Sequence, residues 1–140
     1  MSAYGTETLF LVEDEPSVLE MMTQTLRDHG YSVVESTNGV EAIQKAQEHV
    51  GQEIHLLLTD VVMPLMGGME LAAQMKEIHP ETKVLLTSGY IDDNDVLRSL
   101  YADDGQFIQK PFTPDVLALK VREVLDHPHV ARSNRPKASQ

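Results

Sequence analysis

Apolar residues gather along this chain in two alternating patterns. Short runs at 9–12, 32–35, 56–59, 84–87 and 107–109 are of strand length, and several are apolar throughout. Strands without polar alternation are covered on both faces, which predicts a parallel sheet between helical layers. Longer stretches carry apolar residues three and four positions apart: Val18, Leu19, Met22 and Leu26; Val40, Ile43 and Ala46; Leu71, Met75 and Ile78; Val116, Leu117, Leu119, Val121, Val124 and Leu125. That spacing lays one apolar stripe along a helix, ready to pack on a sheet.

The element ends are marked. Pro16 suits a first helical turn, Gly30 follows a helix end, Asn38 and Thr113 are candidate N-caps, and Pro80 stops a third helix. The weakest of five predicted helices is the fourth, at 92–101, where Val96, Leu97 and Leu100 stand among many acids. Five strands alternating with helices through right-handed crossovers predict an α/β doubly wound three-layer sandwich.

Length and composition narrow the picture. With 140 residues, 41% of them hydrophobic, the chain suits one domain. It has no cysteine, so disulfides and thiolate metal sites are excluded, and a cytoplasmic setting is the simpler expectation. No apolar stretch approaches a membrane span, and MSAYGTET lacks the parts of a signal peptide. Formal net charge is -11; three basic residues and no acid lie in 127–140, leaving the body near about -14. Nucleic acid is an unfavourable partner for such a body. The expected organisation is a linker at 1–6, one domain at 7–126 and a polar tail at 127–140.

In doubly wound sheets, sites form at the carboxyl ends of the strands. Those ends carry Glu13 and Asp14, Asp60, Ser88 and Lys110. Three carboxylates without a neighbouring His or Cys suit a hard divalent cation, magnesium better than zinc. Magnesium needs few protein ligands, so Asp60 keeps an oxygen for nucleophilic attack on phosphorus. The Lys110 ammonium and a hydroxyl at Ser88 would stabilise the charge of a phosphoryl group in transit.

Plainer readings stand beside these. Glu13 to Glu15 also suit a solvated helix N-terminus, where acids meet the helix dipole, and Pro16 lets both readings hold. Thr87 adjoins Ser88 and either hydroxyl can cap the strand; spacing to Lys110 favours Ser88. Phe107, an aromatic on a strand, suits ordinary core packing. The six histidines lack ligand spacing, and His29, His49 and His79 sit near predicted helix ends.

The segments FLVEDEP, LLLTDVVMPLMGG, VLLTSGY and FIQKPF resemble, in order and spacing, the four motif blocks of the receiver domain of two-component response regulators. The resemblance covers about residues 7–126 and implies a flavodoxin-like fold with strand order 2-1-3-4-5. It implies an acidic pair at Glu13 and Asp14, a phosphoacceptor at Asp60, a hydroxyl switch at Ser88 and the family's lysine at Lys110. It further implies a cis bond between Lys110 and Pro111, a metal ligand from the Val62 backbone carbonyl, and an aromatic switch at Phe107. Val62 and Tyr90 fall where the family tunes water attack on the acyl phosphate, so slow self-dephosphorylation is expected. The implied cofactor is Mg2+, and the implied partner is a histidine kinase or histidine phosphotransfer domain. No membrane contact is expected, and the domain is expected to be a monomer or weak homodimer.

The ends of the domain look most like the receiver of a hybrid sensor histidine kinase; a free-standing single-domain regulator is the alternative. Phosphatases of the haloacid dehalogenase type need a second aspartate two residues past the nucleophile, where this chain has Val62. A non-phosphorylated interaction module is the remaining rival.

Overall fold

Residues 3–88 and 106–127 are described by a computed structural model, Gln106 through its backbone only. Five parallel strands, β1 (Thr8–Val12), β2 (Ser32–Ser36), β3 (Leu56–Asp60), β4 (Lys83–Ser88) and β5 (Gln106–Gln109), stand in the order β2-β1-β3-β4-β5. Among the described residues there are four helices: α1 (Pro16–Asp28), α2 (Gly39–Glu48), α3 (Gly68–Ile78) and α4 (Pro114–Asp126). The candidate helix at 92–101 lies outside the described residues. The arrangement is the flavodoxin-like doubly wound sandwich.

Side-chain alternation splits the core in two. Leu9, Leu11, Leu56, Leu58, Leu85 and Ile108 pack with Leu19, Met22, Leu26, Leu117, Val121 and Val124 from α1 and α4. Phe10, Val12 and Leu57 pack with Ala42 and Ala46 of α2 and Leu71 and Met75 of α3 on the other face. Most of these side chains are fully buried, each contributing roughly 1.5–3 kcal/mol of burial free energy. Strand order reverses at β1, which lies between β2 and β3, so the crevice falls above β1 and β3.

Local chemistry fixes the helix ends. The Asn38 side chain accepts from the Glu41 N–H at 2.8 Å, and Glu41 Oε1 accepts from the Thr37 N–H at 2.8 Å, a reciprocal cap. Thr113 Oγ1 accepts from Val116 N–H at 3.2 Å, with Pro114 in the first turn. At C-termini, His29 Nδ1 meets the Thr25 carbonyl and His49 Nδ1 the Lys45 carbonyl, each at 2.7 Å. His79 Nε2 reaches from the end of α3 to the Ala46 carbonyl of α2 at 2.9 Å. These histidines therefore add a ring nitrogen to last-turn carbonyls that also accept a backbone N–H from the capping residue.

The amino end of the sheet is closed by its own ion cluster. Arg122 of α4 forks onto Glu7, with Nη1 to Oε1 at 3.1 Å and Nη2 to Oε2 at 2.7 Å, and Nη2 also reaches Asp126 Oδ1 at 2.8 Å. The same guanidinium donates to the Tyr4 carbonyl at 3.1 Å, and the Gly5 N–H donates to the His29 carbonyl at 3.0 Å. Gly30 (φ 101°) faces this segment so closely that a Cβ there would lie 2.4 Å from the Gly5 carbonyl oxygen.

Candidate functional site

Four side chains stand one pleat beyond the face that packs on α1 and α4. Glu13 follows Leu9 and Leu11, Asp60 follows Leu56 and Leu58, Thr87 follows Leu85, and Lys110 follows Ile108, each two residues past a core position. The parallel register brings them level: Leu58 pairs Leu85, Asp60 pairs Thr87, and Thr87 pairs Ile108. The core is thus capped by a polar layer at the carboxyl edge.

Lys110 Nζ lies 2.8 Å from Glu13 Oε1 and 2.8 Å from Asp60 Oδ1, bridging two carboxylates. Thr87 Oγ1 donates to the same Asp60 Oδ1 at 2.6 Å. Glu13 Oε2 accepts from the Glu15 N–H at 3.0 Å. Glu13 and Asp60 are buried, at 2% and 4% exposure, whereas Asp14 is exposed. Carboxylate oxygens of Glu13, Asp14 and Asp60 all lie within 4.8 Å of one another, and this group could hold a metal ion.

One ammonium for two buried carboxylates leaves the layer short of positive charge. Burial is the main force on Glu13; the neighbouring Asp60 adds to it, the Lys110 and Glu15 donors oppose it, and the carboxyl is pushed up to about 7. Burial works against the Lys110 charge too, but its hydrogen bonds with Asp60 and Glu13 outweigh that and hold the ammonium above its ordinary range.

The loop after β3 brings α3 against the end of that strand. Val61 N–H donates to the Thr87 carbonyl and Gly68 N–H to the Val61 carbonyl, both at 2.8 Å. A Cβ at Gly68 would lie 2.0 Å from the Asp60 carbonyl oxygen, so only glycine fits. The loop presents Val62 and Leu65 to solvent, each 78% exposed, with Leu65 in the left-handed region at φ 73°.

Glu13, Asp60 and Lys110 meet at one point, and Asp14 joins them as the third carboxylate. Ser88 ends β4 and is buried; its carbonyl accepts from Lys110 N–H at 2.8 Å. Phe107 is half-buried against Val61 and Leu86, and the Lys110–Pro111 peptide is cis. Tyr90 lies outside the described residues. Thr87 is the residue that spacing alone passes over: it shares the pleat of Leu85, which faces Leu58, and that parity aims it at Asp60.

A family model for the response regulator receiver domain matches residues 9–122. The sensor kinase CckA of Brucella abortus (strain 2308) is 39% identical over 123 residues, covering 87% of this chain; the chain spans only 13% of that kinase's length. The response regulator receiver protein CpdR of the same organism is 32% identical, with 84% of this chain and 95% of the relative covered. The crystal structure of the receiver domain from hybrid histidine kinase CckA is similar at a TM-score of 0.72 and 31% identity, covering 85% of this chain and 99% of that one.

Proposed function

The chain belongs to the response regulator receiver domain family, and from that premise we propose that it takes a phosphoryl group onto Asp60 and converts the new charge into a change of shape. The observation that carries this reading is the convergence of Lys110 and Thr87 on a buried Asp60 carboxylate beside two further acids. A carboxylate oxygen of Asp60 attacks phosphorus, the P–N bond of a phosphohistidine breaks, the imidazole leaves with the bonding pair and takes up a proton, and an acyl phosphate remains. The donor is a histidine kinase or histidine phosphotransfer domain.

Three hard oxygen ligands within 4.8 Å, opposed by one ammonium, fit a divalent cation of the magnesium type. Glu13, Asp14, Asp60 and the Val62 carbonyl would hold it, and when bound it would neutralise charge on the phosphoryl oxygens. Lys110 holds Asp60 in place beforehand and can pair with the phosphoryl group afterwards. A phosphoryl group adds about -1.5 to -2 charge and strong acceptors. Ser88 and Phe107 are the responding pair: Leu86 pairs Phe107 and Ser88 pairs Gln109, so the two fall on the same pleat of adjacent strands. Exposed Val62 offers no acid or base to an attacking water, and with Tyr90 it supports slow dephosphorylation; a phosphoryl half-life of seconds contradicts this.

Among the described residues no helix is long and apolar enough to cross a membrane; we place the domain, residues 7–126, in the cytoplasm. Identity to CckA supports origin in a hybrid histidine kinase, and near-complete coverage of CpdR supports a free-standing regulator as the second reading. Upstream kinase sequence in the natural gene decides between them.

Incubation with magnesium and a small phosphodonor, or beryllofluoride, followed by the same treatment of Asp60→Asn, tests the chemistry. A stable stoichiometric adduct lost in the variant is expected. Rapid turnover of the donor points to a phosphatase, and the lack of any magnesium-dependent change to an interaction module.

A further inference from the structure

We propose that Thr87 is a positioning residue for Asp60, fixing one carboxylate oxygen so that the other is presented to phosphorus; this rests on the acceptor reading above. Both side-chain donors that described residues bring to Asp60 converge on Oδ1, the Thr87 hydroxyl at 2.6 Å and the Lys110 ammonium at 2.8 Å. A lysine on its own flexible stem fixes a distance. A second donor from a β-branched side chain with few rotamers, on a strand in register with β3, fixes the rotation of the carboxylate as well. Asp60 is 4% exposed and Thr87 1%, so water does not compete strongly for these bonds.

The end of β4 therefore carries two hydroxyls with different tasks. Thr87 lies on the pleat of Leu85 and holds the acceptor before transfer. Ser88 lies on the alternate pleat with Leu86, beside Phe107 of β5, and is left for the response. Thr87 acts through Asp60 and touches no reacting phosphorus, so its loss weakens orientation and leaves the nucleophile in place.

The test compares Thr87→Val, which keeps shape and removes the hydroxyl, with Thr87→Ser, which keeps the hydroxyl. Two quantities are measured: the rate of adduct formation from acetyl phosphate at saturating magnesium, and the carbon-13 resonance of the Asp60 carboxylate in the unmodified, metal-free protein. Thr87→Val is expected to slow the reaction about tenfold, the scale of one hydrogen bond to a charged group, and to move the resonance; Thr87→Ser restores both. Thr87→Ala replaces Thr87→Val in the same comparison should the latter not fold. A resonance that moves in Thr87→Val and returns in Thr87→Ser, in a protein that forms no adduct, upholds the positioning contact and removes the acceptor reading. An unmoved resonance, or Thr87→Ser as slow as Thr87→Val, overturns the proposal.

Discussion

The two ends of the sheet each join a basic residue to two acids, with opposite results. At the amino end, Arg122 meets Glu7 and Asp126 on a partly wet surface. Its hydrogen bond is the main cause that holds the Glu7 carboxyl below its ordinary range. At the carboxyl end, Lys110 meets Glu13 and Asp60 under cover, and burial pushes Glu13 up to about 7. At the amino end Glu7 gains more from its partner than it loses to desolvation. At the carboxyl end desolvation wins on Glu13, and a third carboxylate, Asp14, stands close by. The first arrangement is a staple; the second is a site that gains from an added cation.

The largest break in this comparison comes from Gly68→Ala. With a Cβ 2.0 Å from the Asp60 carbonyl oxygen, backbone must move, and a loss of about 3 kcal/mol in denaturant unfolding is expected, together with impaired adduct formation. Arg122→Ala is expected to cost about 2–3 kcal/mol by the same measurement, because it frees two acids and the Tyr4 carbonyl at once. Its rate of adduct formation should stay within about twofold of wild type, and a larger fall would show that the two ends are coupled.

Stability against pH sharpens the contrast further. Glu13 binds its proton more tightly folded than unfolded, so in chelator its contribution grows as pH falls from about 7 toward 4.5 and is lost as pH rises through 7. Glu7 is lowered, so its contribution is present above 4.5 and lost as pH falls through the folded value. Glu13→Gln is accordingly expected to stabilise the metal-free protein above pH 7 by about 1–2 kcal/mol and to flatten the slope between 4.5 and 7. Glu7→Gln should instead flatten the slope below 4.5. Thermal melts across pH check both. The smallest expected effect is that of Asn38→Ala, about 1 kcal/mol from one lost cap, with no change at the site.

The sheet and the convergence of Glu13, Asp60 and Lys110 were legible in the sequence, and the strand order was legible through the resemblance to receiver domains. Unbroken apolar strands point to a parallel sheet covered on both faces, and in a doubly wound sheet the strand ends then meet by topology. The helix-end histidines were legible for the same local reason. The burial of Glu13 was not, since an EDE run before Pro16 has the look of a solvated helix start; only Asp14 and Glu15 behave that way. Thr87 needed strand parity across β3 and β4, which spacing to Lys110 alone does not supply. The Glu7 to Arg122 clamp joins residues 115 positions apart, a distance at which no local pattern points to the partner.

Trapping answers the central claim most directly. After reaction with a small phosphodonor, with and without magnesium, borohydride reduction and peptide mass spectrometry locate any acyl phosphate. A single reduced site at Asp60, formed only with the divalent cation, is the predicted result; a site on another residue, or none under either condition, contradicts the account.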